Sequence, residues 1–299
     1  MRKGFRRLRL TGAASILAAS LGVALPGAAL GASPQSDSTA GPFVALGDSY
    51  AAGNLIPASP WGTPVDCLRS SHDYGADAAA ALGAGYVDVT CNGATTANMT
   101  QPQKVLGGVN PPQFNALAAD DSVVTLTIGG DDMGFSGVLK TCALLSLTGL
   151  FSEPCQRHYA AGGTDPLVAA IDAAAPEVAA VLQGIHARAP LARVLLVGYP
   201  DILPASGHGC WPEVPFAAGD LPYLRGIETG LNQMLADTAA ANGATYVDTY
   251  AATIGHDACA SPSAKDVEGL IPVSLAYPFH PNQRGELAMA QQVLAALRA

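Results

Sequence analysis

The chain has 299 residues, 49% of them apolar and 13% charged, with 24 acidic against 15 basic side chains and a formal net charge of −9. A negative surface repels phosphate backbones, and no polybasic segment follows the amino terminus, so nucleic acid and polybasic attachment to a membrane are excluded. The length suits a single α/β domain, a class that often runs past 200 residues.

Residues 1–32 carry a basic start (Arg2, Lys3, Arg6, Arg7, Arg9) and then an Ala/Leu-rich run broken by Gly22, Pro26 and Gly27. This is the pattern of a secretory signal peptide, too interrupted for a span of about 20 apolar residues, and it predicts export. Its removal takes away five of the fifteen basic residues and none of the acids, leaving a net charge of −14. Residues 33–41 are polar and aperiodic and read as a flexible leader, so the folded domain is expected over 42–299. No second apolar stretch reads as long enough to cross a bilayer, and a monomer without a membrane anchor is expected.

Apolar runs then alternate with Ala-rich helical stretches, the signature of a parallel sheet covered on both faces. Strands are predicted at 43–47, 86–90, 123–128, 194–198 and 245–248. Helices are predicted at 72–83, 166–189, 223–242 and 283–298. Thr164 or Asp165 suits the cap before Pro166, and Gly243 suits a helix stop. Two segments, 136–163 and 200–222, read as long irregular loops walling a cleft.

Six cysteines (Cys67, Cys91, Cys142, Cys155, Cys210, Cys259) in an exported chain predict disulfides. Fifteen pairings are open, and the sequence does not choose between them. Sequential pairing, 67 with 91, 142 with 155 and 210 with 259, closes only local loops and is the expected one. Zinc is the competing use, but the chain lacks C-x-x-C and H-x-x-x-H spacing, and no metal or organic cofactor is expected.

The chemistry is expected where strands end. Gly47-Asp48-Ser49 follows the apolar run Phe43-Val44-Ala45-Leu46, so a serine hydroxyl is set at the carboxyl end of a buried strand, where open α/β sheets place their ligand crevice. A lone Gly-Asp-Ser is ordinary turn chemistry. Three further stretches fall after strands or near the carboxyl terminus: Cys91-Asn92-Gly93-Ala94-Thr95-Thr96, Ile128-Gly129-Gly130-Asp131-Asp132-Met133-Gly134-Phe135, and His280-Pro281-Asn282.

In this order the four stretches resemble the conserved blocks of the SGNH hydrolases, also called the GDSL esterase and lipase family, and the resemblance runs from about Phe43 to the last helix. The sequential cysteine pattern is similar to that of secreted actinobacterial lipases and esterases of the Streptomyces type. The resemblance implies a three-layer α/β/α sandwich on a five-stranded parallel sheet of flavodoxin-like type. It implies Ser49 as nucleophile, His280 as general base, and the N–H groups of Ser49 and Gly93 as oxyanion donors. These roles meet a chemical need: a serine hydroxyl attacks only when a neighbouring imidazole takes its proton, and acyl transfer then needs donors aimed at the developing negative oxygen.

Two positions depart from the family pattern. Where the third block normally carries Gly-x-Asn-Asp, Asp131 occupies the place of the amide donor, and it donates only when protonated, a state favoured by burial beside Asp132. Weak activity at neutral pH, or an acid-shifted optimum, is therefore expected. Where the family commonly carries an aspartate three residues before the histidine, this chain has Tyr277, so a main-chain carbonyl of Tyr277 is expected to orient His280, with Asp201 as the remote alternative. His208, beside Cys210, is the weaker candidate base, whereas His72, His158, His186 and His256 read as structural or surface residues.

The activity so implied is hydrolysis of lipid or simple acyl esters through an acyl-enzyme. A carbohydrate or xylan acetylesterase is the enzymatic alternative, and a non-catalytic ligand-binding protein with the same fold is the alternative of another class. Trp61, Trp211, Phe135 and Phe216 read as either an acyl-pocket wall or core. The Leu-rich stretch 144–151 reads as either a lipid-contacting flap or a buried turn.

Overall fold

A computed structural model describes residues 41–205 and 209–299. The predicted signal peptide, nearly all of the leader, and His208 lie outside the described residues.

The elements follow in order: β1 (Phe43–Gly47), α1 (Tyr74–Leu82), β2 (Tyr86–Asp88), a hairpin of β3 (Gln103–Val105) and β4 (Gly108–Asn110), β5 (Val123–Thr127), α2 (Phe135–Ser146), α3 (Pro154–Ala160), α4 (Pro166–Arg188), β6 (Arg193–Val197), α5 (Leu221–Ala241), β7 (Thr245–Val247), α6 (Thr249–Thr253) and α7 (Gln283–Arg298). The main sheet has the order β2-β1-β5-β6-β7 with every pair parallel. This is the flavodoxin-like order, and its switch point lies between β1 and β5, where the connections leave in opposite directions. The three-layer sandwich implied by the resemblance is the fold observed.

Strand alternation sends side chains into two cores. Val44, Leu46, Val124, Leu126 and Leu196 face the layer that includes α4 and α5, while Phe43, Val123, Leu195 and Val247 face α1 and α7. The helices begin where their caps direct. Asp73 accepts from Ala76 N–H at α1, Asp165 from Leu167 N–H ahead of Pro166, and Asn282 from the N–H groups of Arg284 and Gly285 at α7. Gly243, at φ +70°, follows the end of α5.

Two expectations are corrected. Residues 136–163 are largely helical, forming α2 and α3 rather than a long loop. α2 escapes a sequence reading because Gly134 precedes it without a side-chain cap, and its apolar residues run around more than one face. Helix α4 is long and apolar enough to cross a membrane by length and composition. Its stripe of Leu167, Ile171, Val178, Leu182 and Ile185 is instead buried in the core. The short helix α6 and the β3–β4 hairpin went unread because each spans only a few residues.

All three sequential disulfides are formed: Cys67–Cys91, Cys142–Cys155 and Cys210–Cys259. The first ties the segment after β2 to the chain ahead of α1, next to Gly93. The second joins α2 to α3.

Candidate active site

Strand β1 ends in a close approach that only glycine permits. Gly47 sits at φ +136°, and a Cβ there would lie 2.3 Å from the Thr127 carbonyl oxygen. The Gln113 amide clasps Gly47 from the side, its Oε1 accepting from Gly47 N–H at 2.7 Å and its Nε2 donating to Gly47 O at 2.9 Å. The chain then turns, and Ser49 is carried to the carboxyl end of the sheet at the switch point.

His280 comes from the segment ahead of α7. Its Nε2 lies 2.7 Å from Ser49 Oγ across 231 residues of chain, and its Nδ1 lies 2.8 Å from the carbonyl oxygen of Pro278. A carbonyl only accepts, so Nδ1 carries the proton and Nε2 presents its lone pair to the serine hydroxyl. The orienting carbonyl therefore belongs to Pro278 and not, as expected, to Tyr277. Phe279 adopts the left-handed region at φ +61°, which folds the chain back so that Pro278 O reaches the ring. The Tyr277 carbonyl is turned to the main-chain N–H of His280 instead, at 3.1 Å. Asp201 is also not the orienter, because it is fully buried against Arg225 at 2.6 Å.

Two aromatic residues hold the imidazole. The Tyr50 ring stacks on it at 4.4 Å between centroids, and the Tyr277 ring meets it edge-on at 5.2 Å. Tyr50 also donates its hydroxyl to Phe279 O at 2.6 Å, fixing the left-handed turn. Burial pushes the His280 imidazole down to about 4, with the Pro278 carbonyl opposing, so the ring is neutral through the mildly acidic and neutral range. Asn282 anchors the segment from below by donating to Lys265 O and to the Glu268 carboxylate.

A second network ties the loops after β1, β5 and β6 together. The buried Asp48 carboxyl accepts from Tyr50 N–H at 2.9 Å and from the Tyr199 hydroxyl at 2.5 Å, and that hydroxyl accepts in turn from Gly130 N–H at 2.8 Å. Asp48 thus fixes the loop, as its turn position suggested. Asp132 accepts from the N–H of Thr96 and from its hydroxyl at 2.5 Å, joining the loop after β5 to the segment that carries Gly93. Sequence reasoning missed Tyr50, Tyr199 and Pro278. The adjacency of Tyr50 to Ser49 was the one available signal, since Tyr199 and Pro278 meet the site only through tertiary contacts.

Among the described residues, the N–H groups of Ser49 and Gly93 have no protein acceptor. At Gly93 the glycine is demanded by its φ of +71°, for the space around an added Cβ is open. Asp131 lines a pit of about 20 Å³ together with Ser49, Asp48, Tyr199 and Glu228. Burial, and then the neighbouring Asp132 carboxylate, push the Asp131 carboxyl up to about 6. Asp48 and Glu228 are driven well above the usual carboxylate range, chiefly by burial, so the pit is rich in acids held toward their neutral form.

Tyr50, Phe135 and Ser136 of the pit also line an apolar groove of about 520 Å³, whose lining includes Leu139, Leu144, Leu270 and Tyr277 together with His280. Of the aromatic residues considered for an acyl wall, Phe135 is in the lining. Phe216 is buried against Phe279, and Trp61 is fully exposed. His186 and His256 bond main-chain carbonyls, of Asn242 and Ala264, and take no part in the site. Among the described residues, no cluster of His, Cys, Asp or Glu is arranged to hold a metal ion.

Comparison with known proteins places this geometry in a family. A family model described as the GDSL-like lipase/acylhydrolase family matches residues 45–288. The chain is 39% identical over 282 residues to Lipase 2 of Streptomyces coelicolor, covering 93% of either chain. It is 31% identical over 284 residues to Lipase 1 of the same organism, covering 94% of this chain and 95% of the relative. Among solved structures, phospholipase A1 from Streptomyces albidoflavus superposes with a TM-score of 0.71 at 28% identity, covering 87% of this chain and 98% of that one. The extracellular lipase from Streptomyces rimosus superposes with a TM-score of 0.69 at 25% identity, with coverage of 87% and 99%. The chain belongs to the GDSL-like lipase/acylhydrolase family and is a serine ester hydrolase of the lipase and esterase kind.

Proposed function

We propose that this protein is exported and hydrolyses lipid or simple acyl esters through a Ser49 acyl-enzyme, with residues 42–299 as one catalytic domain acting as a monomer without a membrane anchor. The observation that carries the assignment is the 2.7 Å contact from His280 Nε2 to Ser49 Oγ, with the ring held in the productive tautomer by Pro278 O. Ser49 Oγ attacks the ester carbonyl as its proton passes to Nε2. The oxyanion that forms is met by the N–H groups of Ser49 and Gly93 and by the protonated carboxyl of Asp131. Nε2 then returns the proton to the leaving alcohol, and water, deprotonated by the same nitrogen, releases the acid and regenerates the serine.

The secreted compartment is supported by the basic-then-apolar start, the three disulfides and the likeness to an extracellular lipase. The apolar groove beside His280 favours an acyl chain longer than acetyl and argues against a sugar acetylesterase. An aligned serine–imidazole pair likewise argues against a purely binding role.

A fluorophosphonate probe tests the assignment. It is expected to label the wild type at Ser49 and to fail on the His280→Ala protein. A wild type that resists the probe, or a His280→Ala protein labelled at the wild-type rate, would remove the dyad.

A further inference from the structure

Most of the groove's lining comes from two segments, residues 135–151, containing α2 and the turn after it, and residues 269–279, which lead into His280; Tyr50, Pro215 and His280 supply the rest. The first carries a single charged side chain, Lys140, and the second carries none. Leu144 and Leu270, one from each segment, line the groove itself. Outside the lining both segments keep apolar side chains in solvent, with Leu147 67% and Ile271 63% exposed and Val273 exposed as well. The Leu-rich stretch is therefore not a buried turn. Exposed apolar side chains scattered singly need no explanation, but Leu147 follows the lining residue Leu144 by one helical turn and Ile271 is the chain neighbour of the lining residue Leu270.

Charge identifies the occupant. Attraction to an anionic bilayer needs clustered cations, each contributing about 1 kcal/mol near the surface. These two segments offer only Lys140, on a chain whose net charge is −14 once residues 1–32 are removed. A second copy of the chain seated on the same segments would close the groove beside His280 and bring two acidic bodies together. A lipid surface without net charge meets neither objection, and it presents its ester bonds to the groove.

We propose that the exposed apolar residues of 144–147 and 270–273 form a docking surface for a lipid aggregate of no net charge, such as a phosphatidylcholine bilayer, which delivers acyl chains into the groove. The inference rests on the ester-hydrolase reading of that groove. Burial of apolar area in the headgroup region supplies the affinity, and the same area in water has no such outlet.

Vesicle sedimentation tests it, using the Ser49→Ala protein so that the lipid stays intact. That protein is expected to bind phosphatidylcholine vesicles, and to bind more weakly when about a third of the lipid is phosphatidylglycerol, at low ionic strength where charge repulsion is unscreened. Adding Leu147→Gln and Ile271→Gln, which leave the net charge unchanged, is expected to raise the half-saturating lipid concentration at least about tenfold. The same pair of substitutions in the Ser49-containing enzyme is expected to leave turnover of a soluble short-chain ester within about twofold, which also reports correct folding.

Absence of binding by the Ser49→Ala protein, equal binding by the glutamine variant, or preference for the anionic vesicles would overturn the proposal. So would a dimer in sedimentation velocity that the glutamine variant turns into monomer while vesicle binding stays the same. An enzyme that binds vesicles through Leu147 and Ile271 but cleaves no ester would support the docking surface while sinking the proposed function, so the two fail separately.

Discussion

Replacing Asp131 with asparagine isolates the one acid that stands where the family carries an amide. The Asp131 carboxyl is held at about 6 by burial and by Asp132, so it is a hydrogen-bond donor below that pH and a repelling charge above it. At pH 7.5 only about 3% of it is protonated, and the loss of donor should depress kcat/KM about 30-fold below its acid plateau, or about 2 kcal/mol. That figure falls inside the limit set by one oxyanion donor, about 100- to 1,000-fold. On the acid side, His280 would lose its proposed role as base when it protonates near 4. The wild type is therefore expected to show a bell-shaped profile of kcat/KM, open between about pH 4 and 6.

Asp131→Asn removes the alkaline limb. It should raise kcat/KM about 30-fold at pH 7.5 and change it less than about twofold at pH 5. The assay is hydrolysis of a soluble ester, followed by titration of released acid so that no chromophore ionises in the range. A wild-type profile flat from pH 5.5 to 8, or an asparagine variant slower than wild type at pH 7.5, would refute the reasoning.

Three other substitutions probe the framework. Tyr50→Phe keeps the ring stacked on His280 but leaves the Phe279 carbonyl unpaired, so stability should fall by about 1–3 kcal/mol in urea unfolding and kcat should drop with little change in KM. Asp201→Ala removes the carboxylate paired with Arg225, which keeps the Leu203 carbonyl and the Tyr250 hydroxyl, and should cost about 1–3 kcal/mol of stability, yet the folded protein should keep its turnover, because His280 turns to Pro278. Loss of turnover with folding intact would return Asp201 to the site. Glu286→Gln addresses a buried acid cluster under α1, where Glu286 Oε1 and Asp73 Oδ2 both lack a partner. Burial, and then Asp73, raise the folded-state pKa of Glu286, so its contribution is fully present below the unfolded value near 4.5 and is lost as pH rises through the folded one. Melting temperature should thus be higher at pH 5 than at pH 8, and the glutamine variant should narrow that gap, each recovered kcal/mol appearing as about 2–4 °C.

Much of the architecture was legible along the chain because its signals are local. Val123–Thr127 and Arg193–Val197 are compact apolar runs between polar breaks, and Asp165-Pro166 is a cap followed by a residue preorganised for a first turn. The segment 136–163 was misread for the converse reason. α2 has no side-chain cap, so its helicity is set by packing Phe135, Val138, Leu139 and Cys142 against the core and by the tie from Cys142 to Cys155.

The candidate site divides along the same line. Ser49, Gly93, Asp131 and His280 were visible as residue types at strand ends, since a turn at the carboxyl edge of a sheet is written in a few consecutive residues. What the chain alone could not disclose was which carbonyl orients His280. That depends on the left-handed φ of Phe279, a conformation secured by a tyrosine 229 positions away. Nor could it disclose that Tyr199 bridges Asp48 to Gly130, or that buried acids crowd one small pit. The sequence determined the strand ends, the caps and the chemical parts, because those rest on neighbours in the chain. Tertiary structure decided the tautomer, the proton-holding carboxyls and the groove, because each depends on burial and on contacts between segments far apart in the chain.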